Sequence, residues 1–352
     1  MWLIFFTIGL ATLPGLAGCG GMDRGAEGTP STVPIAAITY DALYVVNGEG
    51  NSISVINADT FELAGTIALQ STAFPHHVNL SPDKASLAVA VPGSDLSGGH
   101  GDSAHGGTSM GAILRLDALT GETMAARRLD RPNHNGIFSL DGKEIWTSQM
   151  TMMGAVLVLD ASTLTTKQSV TVGDMPAEVT FSRDGRYAFV ANGMSNDVTV
   201  IDAATKAVVK TIAVGTNPVG AWSGSDGVMY VDNEAAKTLT AINGTTLEIV
   251  RTYSLGFTPG MAATSPTGEL WVTDAENGKV IFYSTTADMK LGELVTSAGA
   301  HAIAFSADGK TAYVSNQAAG SISVIDVFSH AFRKTIAVGA KPNGMVFRSR
   351  SS

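Results

Sequence analysis

Short apolar runs alternate with polar turns along most of the chain. The stretches "ALYVVNGEGNSISVINADTFELAGTIAL" (42–69), "GRYAFVANGMSNDVTVIDAATKAVVKTIAVG" (185–215) and "KTAYVSNQAAGSISVIDVFSHAFRKTIAVG" (310–339) each hold three runs rich in β-branched and aromatic residues, separated by Asn, Gly, Asp and Thr. A fourth run precedes the second and third stretches, as in "PAEVTFSRDG" (176–185), and ends at a Ser-x-Asp-Gly turn. The pattern therefore predicts repeated units of four β-strands.

This unit recurs with a period of roughly 42 residues. Four-stranded units arranged around an axis are the blades of a β-propeller. The first strand of each blade begins near a proline, which gives seven starts: Pro75, Pro132, Pro176, Pro218, Pro259, Gly299 in place of proline, and Pro342. The last start has no further strands, whereas the run at 42–47 lacks a first strand. We therefore predict an all-β, seven-bladed propeller over residues 39–349, closed by pairing of the N-terminal strands with the C-terminal strand, which removes exposed sheet edges.

The repeated triplets "YVVN", "FVAN", "YVDN" and "YVSN", followed in several blades by "SVID" or "TVID", resemble the YVTN-type seven-bladed propeller repeat of bacterial surface-layer and periplasmic proteins. The resemblance extends over residues 40–348. It implies the fold, but this architecture carries scaffolds, lactonases and metal enzymes alike, so function has to be argued from a site.

The N-terminus carries a targeting signal. Residues 2–17 are apolar throughout, a length typical of a signal-peptide core rather than of a membrane span. "LAGC" at 16–19 resembles the bacterial lipobox, which implies a signal peptide over 1–18, lipid on Cys19, and a flexible tether over 19–38. An ordinary signal peptide is the alternative. We expect an extracytoplasmic protein anchored to the bacterial membrane through its lipid, facing the periplasm or cell surface, with the outer membrane favoured because Gly20 follows the cysteine.

Composition excludes several classes of partner and cofactor. The net charge of −9 argues against binding to nucleic acid, which would be repelled. The single cysteine excludes an internal disulfide and a cysteine-based zinc cluster. No C-x-x-C-H motif is present, so we expect no covalent haem, and no dinucleotide or P-loop fingerprint is present, so we expect no nucleotide.

The chain has seven histidines, and most fall where loops open on one mouth of the predicted channel. The second position after each predicted blade start holds, in chain order, His77, His134, Glu178, Gly220, Met261, His301 and Gly344. His76 adjoins the first of these. We expect His77, His134 and His301 to form a set, with His76 as fourth ligand or orienting group and Glu178 as an oxygen ligand.

One insertion adds chemistry to the same mouth. The spacing from Pro75 to Pro132 is 57 residues, whereas the other spacings run from 40 to 44. The extra residues, 93–110, place His100, His105 and Met110 between two strands of one blade, and "SQMTMMG" adds methionines in the next. Imidazole suits copper and zinc, and thioether selects Cu(I), so the sequence predicts a transition-metal site.

The His76–His77 pair with the single His134 and His301 partly resembles the catalytic propeller of nitrous oxide reductase, which holds a copper-sulfide cluster with histidines at the entries of its inner strands. That resemblance implies copper as a ligand. The positions of Glu178, Gly220, Met261 and Gly344 depart from that pattern, and no electron-transfer copper domain follows.

Three classes of function remain open, and the sequence does not decide whether the protein is an enzyme. The first is metal binding at the mouth. The second is a non-catalytic scaffold that binds a protein or ligand on the propeller face. The third is a lactonase-type hydrolase that uses mouth acids, namely Glu178, Glu234, Asp274 and Glu276.

Overall fold

The computed structural model describes residues 28–96 and 110–350. Over these residues the chain forms short β-strands joined by turns. Their bounds are β1 Ser31–Val33, β2 Ala42–Asn47, β3 Ser52–Asn57, β4 Glu62–Gln70, β5 His77–Leu80, β6 Ser86–Val91, β7 Ala112–Asp117, β8 Thr123–Arg128, β9 Ile137–Phe138, β10 Glu144–Gln149, β11 Ala155–Asp160, β12 Thr166–Thr171, β13 Pro176–Phe181, β14 Tyr187–Asn192, β15 Asp197–Asp202, β16 Val208–Ala213, β17 Pro218–Ser223, β18 Val228–Asn233, β19 Thr238–Asn243, β20 Ile249–Ser254, β21 Pro259–Thr264, β22 Glu269–Asp274, β23 Lys279–Ser284, β24 Lys290–Val295, β25 Ala300–Phe305, β26 Thr311–Asn316, β27 Ser321–Asp326, β28 Phe332–Ala337 and β29 Pro342–Arg348.

The strands form seven antiparallel sheets arranged as the blades of a propeller. Blade 1 joins both ends of the chain in the order β1-β4-β3-β2-β29, and blades 2 to 7 follow as β5–β8, β9–β12, β13–β16, β17–β20, β21–β24 and β25–β28. The last strand, β29, pairs with β2 and contacts the inner strands β25 and β5 of the blades on either side. The predicted fold and its closure are therefore confirmed.

Blade 1 has a fifth strand that the sequence did not predict. Residues Ser31–Val33 pair with Ala68–Gln70 at the outer edge of β4, and Ile38 is buried in the core between blades 1 and 2. These residues fall within 19–38, where we expected a flexible tether. The packed part of the chain therefore begins well before residue 39, because this segment pairs with the outermost edge of the sheet and buries apolar surface beneath it.

The repeated asparagine of the "YVVN" and "FVAN" triplets has a structural role. It ends the second strand of its blade, and its side-chain amide donates to two hydroxyl or carboxyl groups on the third strand. Asn192 donates to Asp197 and Thr199 at 2.7 and 2.9 Å, and Asn316 makes the corresponding bonds to Ser321 and Ser323. The asparagine thus ties the hairpin that faces the mouth of the channel.

Two further turns explain the rest of the repeat. In the Ser-x-Asp turn the serine hydroxyl donates to the aspartate, as Ser182 does to Asp184 at 2.6 Å. The aspartate that ends "TVID" accepts backbone N–H groups two and three residues later, as Asp202 does from Ala204 and Thr205. The first bond joins two side chains and the second joins a side chain to the backbone, and both end a strand and start a turn.

The inner strands of five blades carry a β-bulge close to the mouth. In blade 4 the pairing with β14 shifts between Pro176 and Val179, and equivalent shifts occur in blades 1, 5, 6 and 7. A bulge inserts one extra residue and re-aims the side chains there. In these five blades the bulge falls among the first residues of the inner strand, which include Glu178, Gly220 and Gly344.

No helix among residues 28–96 and 110–350 is long and apolar enough to cross a membrane. The predicted signal peptide over 1–18, the lipidation residue Cys19, and His100 and His105 of the insertion lie outside the described residues.

A candidate metal centre at the channel mouth

Three histidines from neighbouring blades converge at the mouth. His76 and His77 come from the entry of blade 2 and His134 from the entry of blade 3, and all three are buried, at 1, 7 and 2 % exposure. One ring nitrogen of each lies within 4.8 Å of the others. Three nitrogens bound to one ion at 2.0–2.1 Å lie roughly 3.3–3.6 Å apart, so the rings must close in by about 1 Å to complete a site. The group could hold a metal ion.

The rings of His76, His77 and His134 lie at nearly equal distances from one another. The ring centroid of His76 is 4.7 Å from that of His77 and 4.6 Å from that of His134, and the centroids of His77 and His134 are 4.9 Å apart. The ring centroid of His301 is 6.1 Å from that of His76. The sequence predicts His77, His134 and His301 as the set, with His76 as a fourth ligand or orienting group. His301, which we expected in the first set, lies farther away because blade 1 stands between blades 7 and 2.

The reason for this difference is a one-residue error in the predicted register of two blades. In blades 3, 4 and 7 a backbone N–H group just after the second strand donates to the carbonyl of Pro132, Met175 and Gly299, respectively. These three residues are therefore equivalent. Because Met175 immediately precedes the first residue of its inner strand, the equivalent starting positions in blades 3 and 7 are Asn133 and Ala300. With this register the first position after the start holds His76, His134 and His301 in blades 2, 3 and 7, and the second holds His77, Asn135 and Ala302. His77 is therefore the additional histidine, and His76 belongs to the equivalent set.

A signal in the sequence identifies this register. His76, His134 and His301 each lie five residues before the serine of a Ser-x-Asp turn, in "HHVNLS", "HNGIFS" and "HAIAFS". These serines make the same bond to aspartate in all three blades. Counting from the turn gives the structural alignment, whereas counting from the prolines does not, because Pro132 sits one position earlier in its blade than Pro75 and Pro176 do in theirs.

Glu178 orients the cluster from blade 4. Its Oε2 atom is 2.8 Å from Nδ1 of His134, and its Oε1 atom accepts a hydrogen bond from the side-chain amide of Asn135 at 2.6 Å. Because Nδ1 of His134 faces the carboxylate, Nε2 is the atom left to bind a metal. Carboxylate–histidine pairs of this kind fix the tautomer and orientation of a ligand. Oε2 of Glu178 also lies 3.6 Å from Nε2 of His77, and the role of Glu178 as an oxygen ligand stays a prediction.

Gly344 and Gly220, each the second residue after the start of its inner strand, make room for the rings of neighbouring side chains. A Cβ atom on Gly344 would lie 2.6 Å from Nδ1 of His77, so the missing side chain in blade 1 is what lets that imidazole settle. A Cβ atom on Gly220 would lie 2.4 Å from the indole of Trp222. Trp222 therefore extends over Gly220 towards the mouth, and its ring centroid reaches to 6.2 Å from that of His77.

Trp222 is a site residue that the sequence analysis missed. It comes from blade 5, on the far side of the ring from blade 2, and its indole N–H donates to the buried carboxylate of Asp232 at 2.6 Å. The indole thus forms an apolar wall beside His77, held in place by a charge-assisted hydrogen bond. No local pattern marks it, because its contact with His77 runs across the channel.

Other residues predicted at the mouth make contacts of their own. Sδ of Met261 is 3.2 Å from the backbone nitrogen of Ile303, which directs this thioether towards β25. Asp274 is bonded to Asn277 within its own hairpin, and Glu276 is exposed. Among the described residues the three buried histidines form the one group of at least three His, Cys, Asp or Glu side chains close enough to share a metal. The acids proposed for hydrolysis are not gathered in this way.

His330 lies away from the mouth, where blade 7 packs on blade 6. Its Nε2 atom is 2.8 Å from Glu269, and its ring stacks on Phe282. The same arrangement recurs between blades 3 and 4, where Lys206 bonds to Glu144 and lies over the ring of Trp146. This histidine is accounted for by packing between blades.

Comparison with known proteins gives structural relatives of the fold. No family model and no curated protein sequence matches the chain. Among solved structures, the periplasmic gluconolactonase PpgL of Pseudomonas aeruginosa is 18 % identical with a TM-score of 0.71, covering 88 % of this chain and 99 % of that one. Hydrazine synthase of Kuenenia stuttgartiensis is 16 % identical with a TM-score of 0.68, covering 90 and 99 %. The dihydro-heme d1 dehydrogenase NirN, in complex with DHE, is 16 % identical with a TM-score of 0.63, covering 90 and 79 %. At these identities the likeness is one of fold, and the chain is a seven-bladed β-propeller with a buried triad of histidines.

Proposed function

We propose that this protein is an extracytoplasmic, lipid-anchored β-propeller that binds copper or zinc at its channel mouth through His76, His77 and His134, with His301 beside them. The observation that carries the proposal is the convergence of three buried imidazoles from two blades. Burial of polar side chains is costly unless they are satisfied, and a metal satisfies several imidazoles at once.

Two features of the surroundings support a metal rather than a chance cluster. Glu178 holds Nδ1 of His134 at 2.8 Å, which leaves Nε2 for the metal. Gly344 leaves the space that the imidazole of His77 occupies. A wet channel lining would require neither an orienting carboxylate nor a glycine at that position.

The direct test is elemental mass spectrometry of protein purified without an affinity tag, followed by copper and zinc titration of a variant in which His76, His77 and His134 are replaced by Ala. We expect about one metal ion per chain in the parent and a loss of affinity of roughly 100-fold or more in the variant. The variant His330→Gln is the matched control, because it removes a histidine that lies between blades. Equal weak binding by all three proteins would overturn the proposal and favour the non-catalytic scaffold.

The anchoring part of the proposal rests on the "LAGC" motif. Lipid chains on Cys19 contribute roughly 0.8 kcal/mol of membrane affinity per buried methylene, which is enough for stable attachment. Cys19→Ala should therefore move the protein from the membrane to the soluble fraction in its native host. A substituted protein that stays on the membrane would show that the attachment has another origin.

A further inference from the structure

Methionines line one side of the mouth at two depths. Met152, Met153 and Met194 are exposed, at 58, 83 and 46 %. Met150 and Met175 are buried at 5 % each and pack together with Leu96. We call the first three the methionine collar and the last two the buried methionine pair.

The collar belongs to loops that are hydrogen-bonded to one another. The backbone nitrogen of Met153 donates to the carboxylate of Asp174 at 2.6 Å, and that of Met194 donates to the carbonyl of the same residue at 3.2 Å. Met175 follows Asp174, and its backbone nitrogen donates to Thr151 at 2.9 Å. The three loops therefore form one connected surface on blades 3 and 4.

The buried pair connects this surface with the histidine centre. The backbone nitrogen of Met150 donates to Pro132, two residues before His134, at 2.9 Å. Met175 lies three residues before Glu178, whose carboxylate holds His134. Exposed and buried thioethers thus belong to loops that are hydrogen-bonded, through Met150 and Pro132, to the segment that leads into His134.

Core packing does not account for the collar. Methionine fills gaps between apolar side chains when it is buried, as Met150 and Met175 do. An exposed methionine gains no such packing, and the 83 % exposure of Met153 leaves its thioether in solvent. Thioether sulfur is a soft donor that selects Cu(I) over Zn(II) among the metals that imidazole accepts.

We infer that the metal of this site is copper in its Cu(I) state, and that the methionine collar captures the ion and passes it by way of the buried methionine pair to the histidines. This inference rests on the proposed function, since the histidines are its destination. Beyond the proposed function, the inference specifies which metal ion is bound and in which oxidation state. It also specifies the route by which the ion reaches the buried histidines. The transfer involves only exchange of ligands on Cu(I), so no electron is gained or lost.

The test compares rates of metal uptake. In the collar variant, Met152, Met153 and Met194 are replaced by Leu, which keeps the apolar volume and removes sulfur. The control variant carries Met124→Leu and Met289→Leu, which alter two methionines of similar exposure, at 49 and 52 %. Met124 lies on β8, the outer strand of blade 2, and Met289 lies on the turn between β23 and β24 of blade 6. Uptake of Cu(I) from its bicinchoninate complex is followed without oxygen by loss of colour, and Zn(II) uptake is followed with a zinc-sensitive dye.

We expect the collar variant to take up Cu(I) at least roughly tenfold more slowly than the parent, with unchanged final occupancy and unchanged Zn(II) uptake. The control variant should match the parent. Equal rates of Cu(I) uptake in the parent and the collar variant would overturn the inference, and so would equal slowing for both metals. Met153→Leu alone alters the most exposed thioether and should give a smaller slowing in the same direction.

A second measurement separates this inference from the proposed function. In a variant with His76, His77 and His134 replaced by Gln, one equivalent of Cu(I) should remain weakly bound with sulfur neighbours in X-ray absorption, and further replacement of the collar should remove them. Sulfur neighbours in this variant, with no metal on the histidines of the parent, would refute the proposed function and the transfer to the histidines, and would leave capture of Cu(I) by the collar. An absence of sulfur neighbours, with metal on the histidines of the parent, would refute the collar alone.

Discussion

Gly344 lies against the imidazole of His77, so close that a Cβ atom there would stand 2.6 Å from Nδ1 and 3.0 Å from the carbonyl of His76. The backbone nitrogen of Gly344 donates to that same carbonyl at 2.9 Å. The C-terminal strand that closes the propeller therefore also shapes the candidate metal centre.

We predict that Gly344→Ala lowers metal affinity by roughly tenfold or more, because the new methyl group displaces an imidazole that must stay in place to bind. Metal titration against a competing chelator measures the effect. Gly292→Ala is the control, since a Cβ atom there would meet Phe282 at an ordinary 3.5 Å. Unchanged affinity in Gly344→Ala would mean that His77 is not a ligand.

Glu178→Gln tests the orienting carboxylate. We predict a fall in metal affinity of about 10–100-fold, the usual cost of losing a group that holds a histidine ligand. The neutral amide can present its NH2 group to Nδ1 of His134 and so favour the wrong tautomer. Isothermal titration with copper and with zinc measures the change. Glu276→Gln alters an exposed mouth carboxylate and should leave affinity as it is.

Trp222 should report metal binding directly. Its ring lies 6.2 Å from that of His77, so Cu(II) held by the histidines should strongly quench its fluorescence. In a chain lacking residues 1–27 the other tryptophans are Trp146 and Trp271, both fully buried between blades. We predict that Trp222→Phe removes most of the metal-dependent quenching. Quenching that persists in Trp222→Phe would place the bound ion elsewhere.

Glu144 should make the stability of the fold depend on acid pH. Partial burial raises the pKa of this carboxyl, but hydrogen bonds from Lys167, Lys206 and Trp146 outweigh burial and lower it below its ordinary value of 4.5. A group whose pKa is lower in the folded state stabilises the fold above the pKa of the unfolded state, and this contribution is lost as the pH falls through the folded pKa.

We therefore predict that Glu144→Gln lowers the free energy of unfolding by about 1.5–3 kcal/mol at pH 7. The difference from the parent should shrink as the pH falls below 4.5, because the parent then loses the charge as well. Thermal unfolding between pH 7 and pH 3 measures both. A constant difference over this range would show that the ion pair between blades 3 and 4 is not its source. Glu122→Gln, the same change at an exposed carboxylate between β7 and β8, serves as the control.

Deletion of residues 340–352 removes β29 and tests closure of the ring. We predict a large fall in melting temperature, because β2 loses its partner and blade 1 loses the strand that contacts β25 and β5. Differential scanning calorimetry measures the change. Deletion of 351–352 alone should have little effect. A protein without β29 that melts at the parental temperature would contradict closure by this strand.

The sequence by itself determined the blades, their number and the way in which the ring closes. Each of these depends on local patterns: the period of two in the strands, the asparagine that ties the mouth hairpin, and the Ser-x-Asp and aspartate turns that end the strands. These features recur in successive blades, and each involves residues only a few positions apart in the sequence, such as Asn192 and Asp197. The presence of histidines at the entries of blades 2, 3 and 7 was readable for the same reason.

Only the tertiary structure decided how those histidines meet. That His76 lies beside His134, that Glu178 binds His134, and that Trp222 reaches His77 depend on contacts between different blades. The pairing of Ser31–Val33 with the outer edge of β4 is of the same kind. Distances of this sort are set by how twisted sheets pack around an axis and by a bulge that shifts a side chain by one position, and neither leaves a periodic trace in the sequence.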